Sequence, residues 1–261
     1  MRVQDIADEK HQSIYGDELA TKARATIRDF GLRILPVINE QKRLLGIVSR
    51  RDVMIVSSSV SLITVKGIMR EPKYTAAIES EVFSTAKEMI RIDEWNVPIV
   101  NSVQDKTYRG VLGLENFIDA IIKTSPEKLA KPVSEIMLEN VTTCSPDEEV
   151  DNVWRLMQNH SLVGMPVVKN NKLVGIVTEK DLLGSGETLP TFESSKGRFR
   201  TSSRISSIMK TQVIAVEPSA KAIRVAKVMV AKDIGRVPVV DKEKRLVGIV
   251  DRKDIVRLIV K

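Results

Sequence analysis

Apolar positions along this chain alternate between two rhythms. Short unbroken runs such as LPVI, VPIV, MPVV and VPVV carry no polar position and predict buried strands. Elsewhere apolar residues fall at three- and four-residue spacing, as in Val150, Val153, Trp154 and Met157, or Ile223, Ala226, Met229 and Val230. That spacing places them on one face of a helix. A polar turn such as DKEKR follows each short run, and a second apolar strand such as LVGIV follows the turn. Each unit therefore reads as helix, strand, turn, strand, helix. Trp154 and the methionines lie on the apolar stripes and are expected in the core.

The rhythm occurs four times, and its anchor residues recur with it. Pro36, Pro98, Pro166 and Pro238 mark the short runs, followed by Gly46, Gly110, Gly175 and Gly248. Asp52, Asn116, Asp181 and Asp254 each stand six residues beyond those glycines. A second phrase precedes three copies as VKGIMREP, VSEIMLEN and ISSIMKTQ, with VQDIADEK as its weaker first form. Self-similarity of this kind is the signature of a repeat architecture.

These units resemble cystathionine-β-synthase (CBS) domains. The I-M phrase, the P-V-V strand and the pattern G-h-h-(S/T)-x-x-D carry the resemblance, which covers essentially the whole chain. It implies an α/β (α+β) fold of four CBS repeats, each a short sheet with two helices. The repeats are expected at residues 1–62, 63–124, 130–184 and 204–261, with a basic linker at 185–203. The family pairs repeats into Bateman modules, which would place residues 1 to about 124 in one module and about 130 to 261 in the other. The segment KTSPEKLAKP, residues 123–132, has the proline and charge content of a connection between them.

Candidate chemistry centres on Ser/Thr-x-x-Asp. A helix N-terminus offers unpaired N–H groups and a partial positive charge, which suit a phosphate. A hydroxyl there can donate to phosphate, and a carboxylate three residues on can accept ribose hydroxyls. The same pattern is also a helix-capping arrangement, so two readings stand for any single copy. The resemblance implies that the motif binds adenine nucleotides: AMP, ADP or ATP. The third copy, Thr178 and Asp181, is a full match, and its partner repeat places Arg236 where nucleotide-binding members hold phosphate. A surface ion pair is the other reading of Arg236. The first copy, Ser49 and Asp52, also matches, but its partner has Asn96 at the arginine position, so thinner phosphate contacts are expected. The second copy has Gly113 and Asn116 and is expected to be empty or repurposed. In the fourth, Asp251 replaces the hydroxyl, so Asp254 suits a less charged adenosine compound such as S-adenosylmethionine. Adenine walls are expected around Ile214 for the third site and Thr143 for the fourth.

Composition narrows the classes. The 261 residues are 43% apolar and 29% charged, the balance of a globular protein with a full core. The longest uncharged stretch, Val53 to Val65, is short of the roughly 20 residues of a membrane-spanning helix. With a polar, acidic start unlike a signal peptide, a cytoplasmic protein without membrane contact is expected. One cysteine, Cys144, and two histidines, His11 and His160, are too few for a disulfide framework or a zinc cluster. No phosphate-binding glycine loop and no catalytic constellation are present, so the chain reads as a sensor that needs no cofactor, not as an enzyme. Its expected partners are the nucleotide, an unidentified protein effector and a second copy in a homodimer. The net charge of +7 favours polyanions. Lys196, Arg198, Arg200, Arg204 and Lys210, with Phe199 among them, read either as a solvated loop or as a nucleic-acid contact. A nucleic-acid-associated protein and an assembly module with degenerate pockets are the alternative functions.

Overall fold

A computed structural model describes residues 1–54, 56, 61–185 and 203–260. In the first repeat, β1 (Ile14–Tyr15), α1 (Ala20–Asp29), β2 (Ile34–Ile38), β3 (Leu44–Ser49) and α2 (Arg50–Met54) follow in order. The second has β4 (Ala76–Ala77), α3 (Val82–Arg91), β5 (Asn96–Val100), β6 (Tyr108–Gly113) and α4 (Leu114–Thr124). The third has α5 (Val150–Asn159), β7 (Gly164–Lys169), β8 (Lys172–Thr178) and α6 (Glu179–Ser185). The fourth has α7 (Ala222–Ala231), β9 (Arg236–Val240), β10 (Leu246–Asp251) and α8 (Arg252–Val260).

The expected order appears in every copy, and a leading strand precedes the first helix. β2 is the centre of its sheet, parallel to β1 and antiparallel to β3, and β5 sits likewise between β4 and β6. These sheets are therefore mixed, an order that the buried apolar runs alone do not specify. In the third and fourth repeats the leading strand shrinks to one bridging pair, Cys144 beside Val167 and Val216 beside Val239. Each central strand starts two residues before its proline, so Pro36 is its third residue. All five residues of β2 are buried, which is why no polar position interrupts the run.

The opening phrase of each repeat is built into its partner. The Val3 N–H donates to the Ser80 carbonyl, Val65 to Glu18, Val133 to Ala220 and Ile205 to Glu148. All four of those apolar anchors are fully buried. In three copies the methionine of the phrase then lies over the partner's recurring glycine, and at Gly110 the backbone of Asp8 takes that place. A Cβ at Gly46 would come within 2.9 Å of the Arg70 carbonyl oxygen, and one at Gly175 within 2.7 Å of the Met209 sulfur. The two recurring phrases of the sequence are thus opposite sides of one contact. Gly46→Val is expected to lower stability by about 1–3 kcal/mol through overpacking. Urea unfolding checks this, and an unchanged midpoint would contradict the contact.

Two cores organise the four repeats. Residues of the first and third repeats share one, including Ile27, Val48, Val153 and Leu182. Residues of the second and fourth share the other, including Met89, Phe117, Val225 and Ile255. Strand-edge pairs join first to second repeat (Arg43 with Thr107) and third to fourth (Lys172 with Arg245). Helices make the other joints: α1 and α2 pack on α6, while α3 and α4 pack on α7 and α8. The repeats therefore close a ring in the order first, second, fourth, third. Each module's helical face covers the other's within one chain. Trp154 packs against the first core, and Met157, Met165 and Met229 are buried, as their spacing indicated. Burial pushes the Cys144 thiol up to about 12, so it acts as an apolar filler. No helix among the described residues is long and apolar enough to cross a membrane.

Candidate functional site

In every copy the second strand runs straight into the second helix, and the fourth motif residue turns back on the first. The Ser49 N–H and Oγ both donate to Asp52 Oδ2, at 2.7 Å each. The Thr178 N–H and Oγ1 donate to Asp181 Oδ2 at 2.9 and 2.6 Å. Asp251 N–H donates to Asp254 at 2.8 Å, and Gly113 N–H to Asn116 Oδ1 at 2.8 Å. The capping arrangement is thus present in all four copies. In the three aspartate copies it engages Oδ2; Oδ1 of Asp181 lies 3.5 Å from Lys210 Nζ and Oδ1 of Asp254 accepts from Arg257 at 2.9 Å.

Around the first copy, all four repeats line a cavity of about 390 Å³. Ser49, Arg51 and Asp52 come from the first repeat, Arg70, Lys73, Trp95 and Asn96 from the second. Glu179 comes from the third, and Arg236 and Lys253 from the fourth. Arg236 thus lines the cavity of Ser49 and Asp52, while of the third motif only Glu179 reaches it. Arg236 and Lys253 add cations to this cavity from across the ring, where Asn96 of the second repeat brings none. Asn96 is buried, and its Nδ2 donates to Glu115 at 3.1 Å. That bond fixes the amide orientation and leaves Oδ1 as an acceptor without a partner among the described residues.

A second cavity of about 220 Å³ is lined by Leu44, Leu45, Pro72, Thr75 and Val100 among others. Residues 70–75 border both cavities, with Arg70 and Lys73 on the first and Glu71, Pro72 and Thr75 on the second, which Lys106 also lines. One segment therefore runs between a cation-rich cavity and a mixed one. Thr143 lines a separate cavity of about 480 Å³ with Val141, Val168 and Leu246, and Asp254 is not in that lining. Ile214 is exposed and lines none of these three cavities. Of the basic run, Arg204 lies 3.7 Å from Asp147 and Lys210 lies near Asp181, so both have acidic neighbours. Lys196, Arg198, Phe199 and Arg200 fall outside the described residues.

At the second copy a side chain of the motif itself covers the helix start. A Cβ at Gly113 would collide with the Glu115 carboxylate, which folds back over the helix start. Glu115 accepts from Asn96 and, at 2.7 Å, from Arg252 of the facing fourth repeat. Arg252 also donates to Asp233 at 2.9 Å. On the other side of the ring, Arg51 donates to Glu179 at 2.6 Å, and Arg50 donates to the carbonyls of Leu32 and Gly31. These are the middle motif positions, which attention to the first and fourth positions overlooked. Their signal was present: Arg50-Arg51 faces Glu179-Lys180, and Leu114-Glu115 faces Arg252-Lys253.

In the fourth copy two carboxylates crowd one helix start. Burial first, and then the Asp251 carboxylate, push Asp254 from 3.8 up to about 6. Its folded state holds a proton more readily than the unfolded chain does. The stability it contributes is therefore full below about pH 4 and is lost as pH rises through about 6. Asp254→Asn keeps an acceptor for the cap, as Asn116 does in the second repeat, and is expected to gain ~2 kcal/mol at pH 7.5 but little at pH 4.5. Parallel unfolding curves for the two proteins at both pH values would contradict this.

A CBS-domain family model matches residues 3–59, 133–186 and 205–261. The chain belongs to the CBS-domain family. The second CBS repeat, with Gly113 and Asn116, lies in the unmatched stretch. Over its full length the chain is similar to uncharacterized protein MJ1225 of Methanocaldococcus jannaschii, 28% identical and covering 98% of both chains. The crystal structure of MJ1225, described as a proposed archaeal homolog of g-AMPK, superposes with a TM-score of 0.86 at 25% identity over 99% of this chain and 100% of that one. An uncharacterized conserved protein from Pyrococcus horikoshii shares the fold, with a TM-score of 0.68 at 21% identity over the whole of both chains. Inosine-5'-monophosphate dehydrogenase of M. jannaschii is 30% identical over 128 residues, which is 49% of this chain and only 23% of that enzyme.

Proposed function

We propose that this CBS protein is a regulatory sensor that binds AMP, ADP or ATP in clefts between its paired repeats. The first and third motif copies are the nucleotide sites. The observation that supports this reading is the pair of cavities bordered by residues 70–75, one rich in cations beside Ser49 and Asp52, the other offering Leu44, Leu45 and Val100 beside Glu71 and Lys106. A nucleotide has the same polarity along its length. Asp52 offers its free oxygen to ribose, the helix start and Arg70 attract phosphate, and Leu45 and Val100 suit a base. At the third copy Asp181 and Thr178 play the same parts beside Ile214. The fourth, with Asp251 at the phosphate position, takes a less charged adenosine compound such as S-adenosylmethionine.

A ligand in the first cavity touches residues of all four repeats. It therefore biases the ring by whatever it binds differently in two arrangements, and a protein effector can read that difference. The description of MJ1225 as a proposed homolog of g-AMPK supports a regulatory role. The cytoplasm is the compartment that fits such a ligand. The test is a thermal-shift and calorimetric screen of the full chain with adenosine, AMP, ADP, ATP and S-adenosylmethionine. A ligand at a hundred times its Kd adds about 2.7 kcal/mol of stability. No shift with any of them would remove the nucleotide reading.

A further inference from the structure

Among the described residues only two buried side-chain polar atoms lack a hydrogen-bond partner, Asn96 Oδ1 and Arg252 Nε. Both belong to one chain of contacts. Asn96 opens β5 and is the register partner of Gly113, the last residue of β6. Its Nδ2 donates to Glu115 Oε1 at 3.1 Å, and Arg252 donates to Glu115 Oε2 at 2.7 Å and to Asp233 at 2.9 Å. The chain starts in the wall of the 390 Å³ cavity, where Asn96 is 6% exposed, and ends in the joint between the second and fourth repeats. The other copies place Ile34, Gly164 and Arg236 opposite Ser49, Thr178 and Asp251, and none of these is an amide. Gly113 belongs to the same arrangement. A side chain there would collide with the Glu115 carboxylate and the Asn96 amide, so the hydroxyl lost from the second copy makes room for the chain. A buried acceptor without a donor is costly, and a network short of one donor is completed by whatever brings it. Since Glu115 holds Nδ2, Oδ1 is the atom that Asn96 has left to offer an occupant of the cavity.

We propose that Asn96 reads the occupant of this cavity and passes its presence to the second–fourth joint through Glu115 and Arg252. The occupant donates a hydroxyl or amino hydrogen to Oδ1. That bond polarises the amide, strengthens the Nδ2 bond to Glu115 and holds the carboxylate against Arg252. Glu115 is the two-state element. Seated over Gly113 it joins Asn96 to Arg252; swung outward, where its side chain is already 29% exposed, it leaves both. An occupant that binds the seated state better shifts the ring toward the closed joint. The inference rests on the reading of this cavity as a nucleotide site. It adds a requirement for a donor at Asn96, where a phosphate oxygen would meet only a lone pair.

The experiment measures amide hydrogen exchange of the full chain with and without saturating AMP. No residue of α4 lines the cavity, so exchange in α4 reports the joint and not direct contact. It is compared with α5, which belongs to neither and reports general stabilisation. AMP is expected to slow exchange in α4 roughly fivefold or more beyond any change in α5, within the usual range of coupling between sites. Asn96→Leu removes the reader, and Gly113→Ala drives Glu115 off its seat from outside the cavity. Both variants are expected to lose the extra slowing in α4 while AMP still protects residues 49–52. By reciprocity, Gly113→Ala weakens AMP by the factor that α4 loses. If Asn96 and Gly113 serve only the fold, exchange in α4 rises in both variants but its response to AMP persists, and that overturns the proposal. Protection of residues 49–52 with no extra slowing of α4 in the parent also overturns it; the nucleotide reading survives either result. If AMP protects neither segment, the nucleotide reading and this inference fall together.

Discussion

Glu115→Ala is expected to destabilise the protein by about 3 kcal/mol, more than any other single change in the ring's joints. Arg252 is 1% exposed and depends on Glu115 and Asp233 for its charge. Removing one partner leaves a buried cation half-compensated, which is far costlier than losing an exposed pair. Arg252→Met should cost less, because Asp233 is 72% exposed and Glu115 29%, so water can hydrate what is left. The double variant should resemble Arg252→Met alone. Urea unfolding of the four proteins forms the cycle. If Glu115→Ala stays within 1 kcal/mol of the parent, the second copy is not a joint.

The other large effect is on binding. Asp52→Ala and Asp181→Ala are each expected to weaken the nucleotide at their own site roughly ten- to hundredfold. That is the cost of a hydrogen bond to a charged group, about 1.5–3 kcal/mol. Adenosine and AMP should suffer alike, since both carry the ribose. Each change also removes a cap worth ~1 kcal/mol, so melting temperature falls as well. The two roles separate cleanly in titration calorimetry. A residue that only caps lowers the melting temperature and leaves affinity where it was, and that result would reassign the motif to structure.

What the sequence revealed and what it hid follow from the range of each interaction. Pro36 to Asp52 is one local unit, and its rhythm and anchors were legible because strand, turn and helix are dictated within about twenty residues. The motif's capping geometry was equally local. The placement of Arg236 was not. It depends on the fourth repeat facing the first across a ring, and nothing between residues 204 and 261 encodes which helices its own will meet. The reading therefore paired Arg236 with Thr178 through the module, whereas the ring brings it to Ser49 and Asp52 as well as to Trp95. Glu115 was missed for the same reason. Its partner Arg252 stands 137 positions away, and only the complementary signs of facing motif copies betray the pair.

The exchange of opening segments sets when this protein can fold. Val3 lies in the same core as Ile259 and Val260, and Ile14 in the same core as Ile205. As the polypeptide leaves the ribosome, the first core waits for residue 205 and the second for residue 260. Neither repeat pair can commit early, because its helical face needs residues from the other half of the message. Contacts this distant in sequence slow folding by the loops that must close before they reward the chain. A chain that has emerged only as far as its second repeat therefore exposes helix faces whose cover lies further along the sequence.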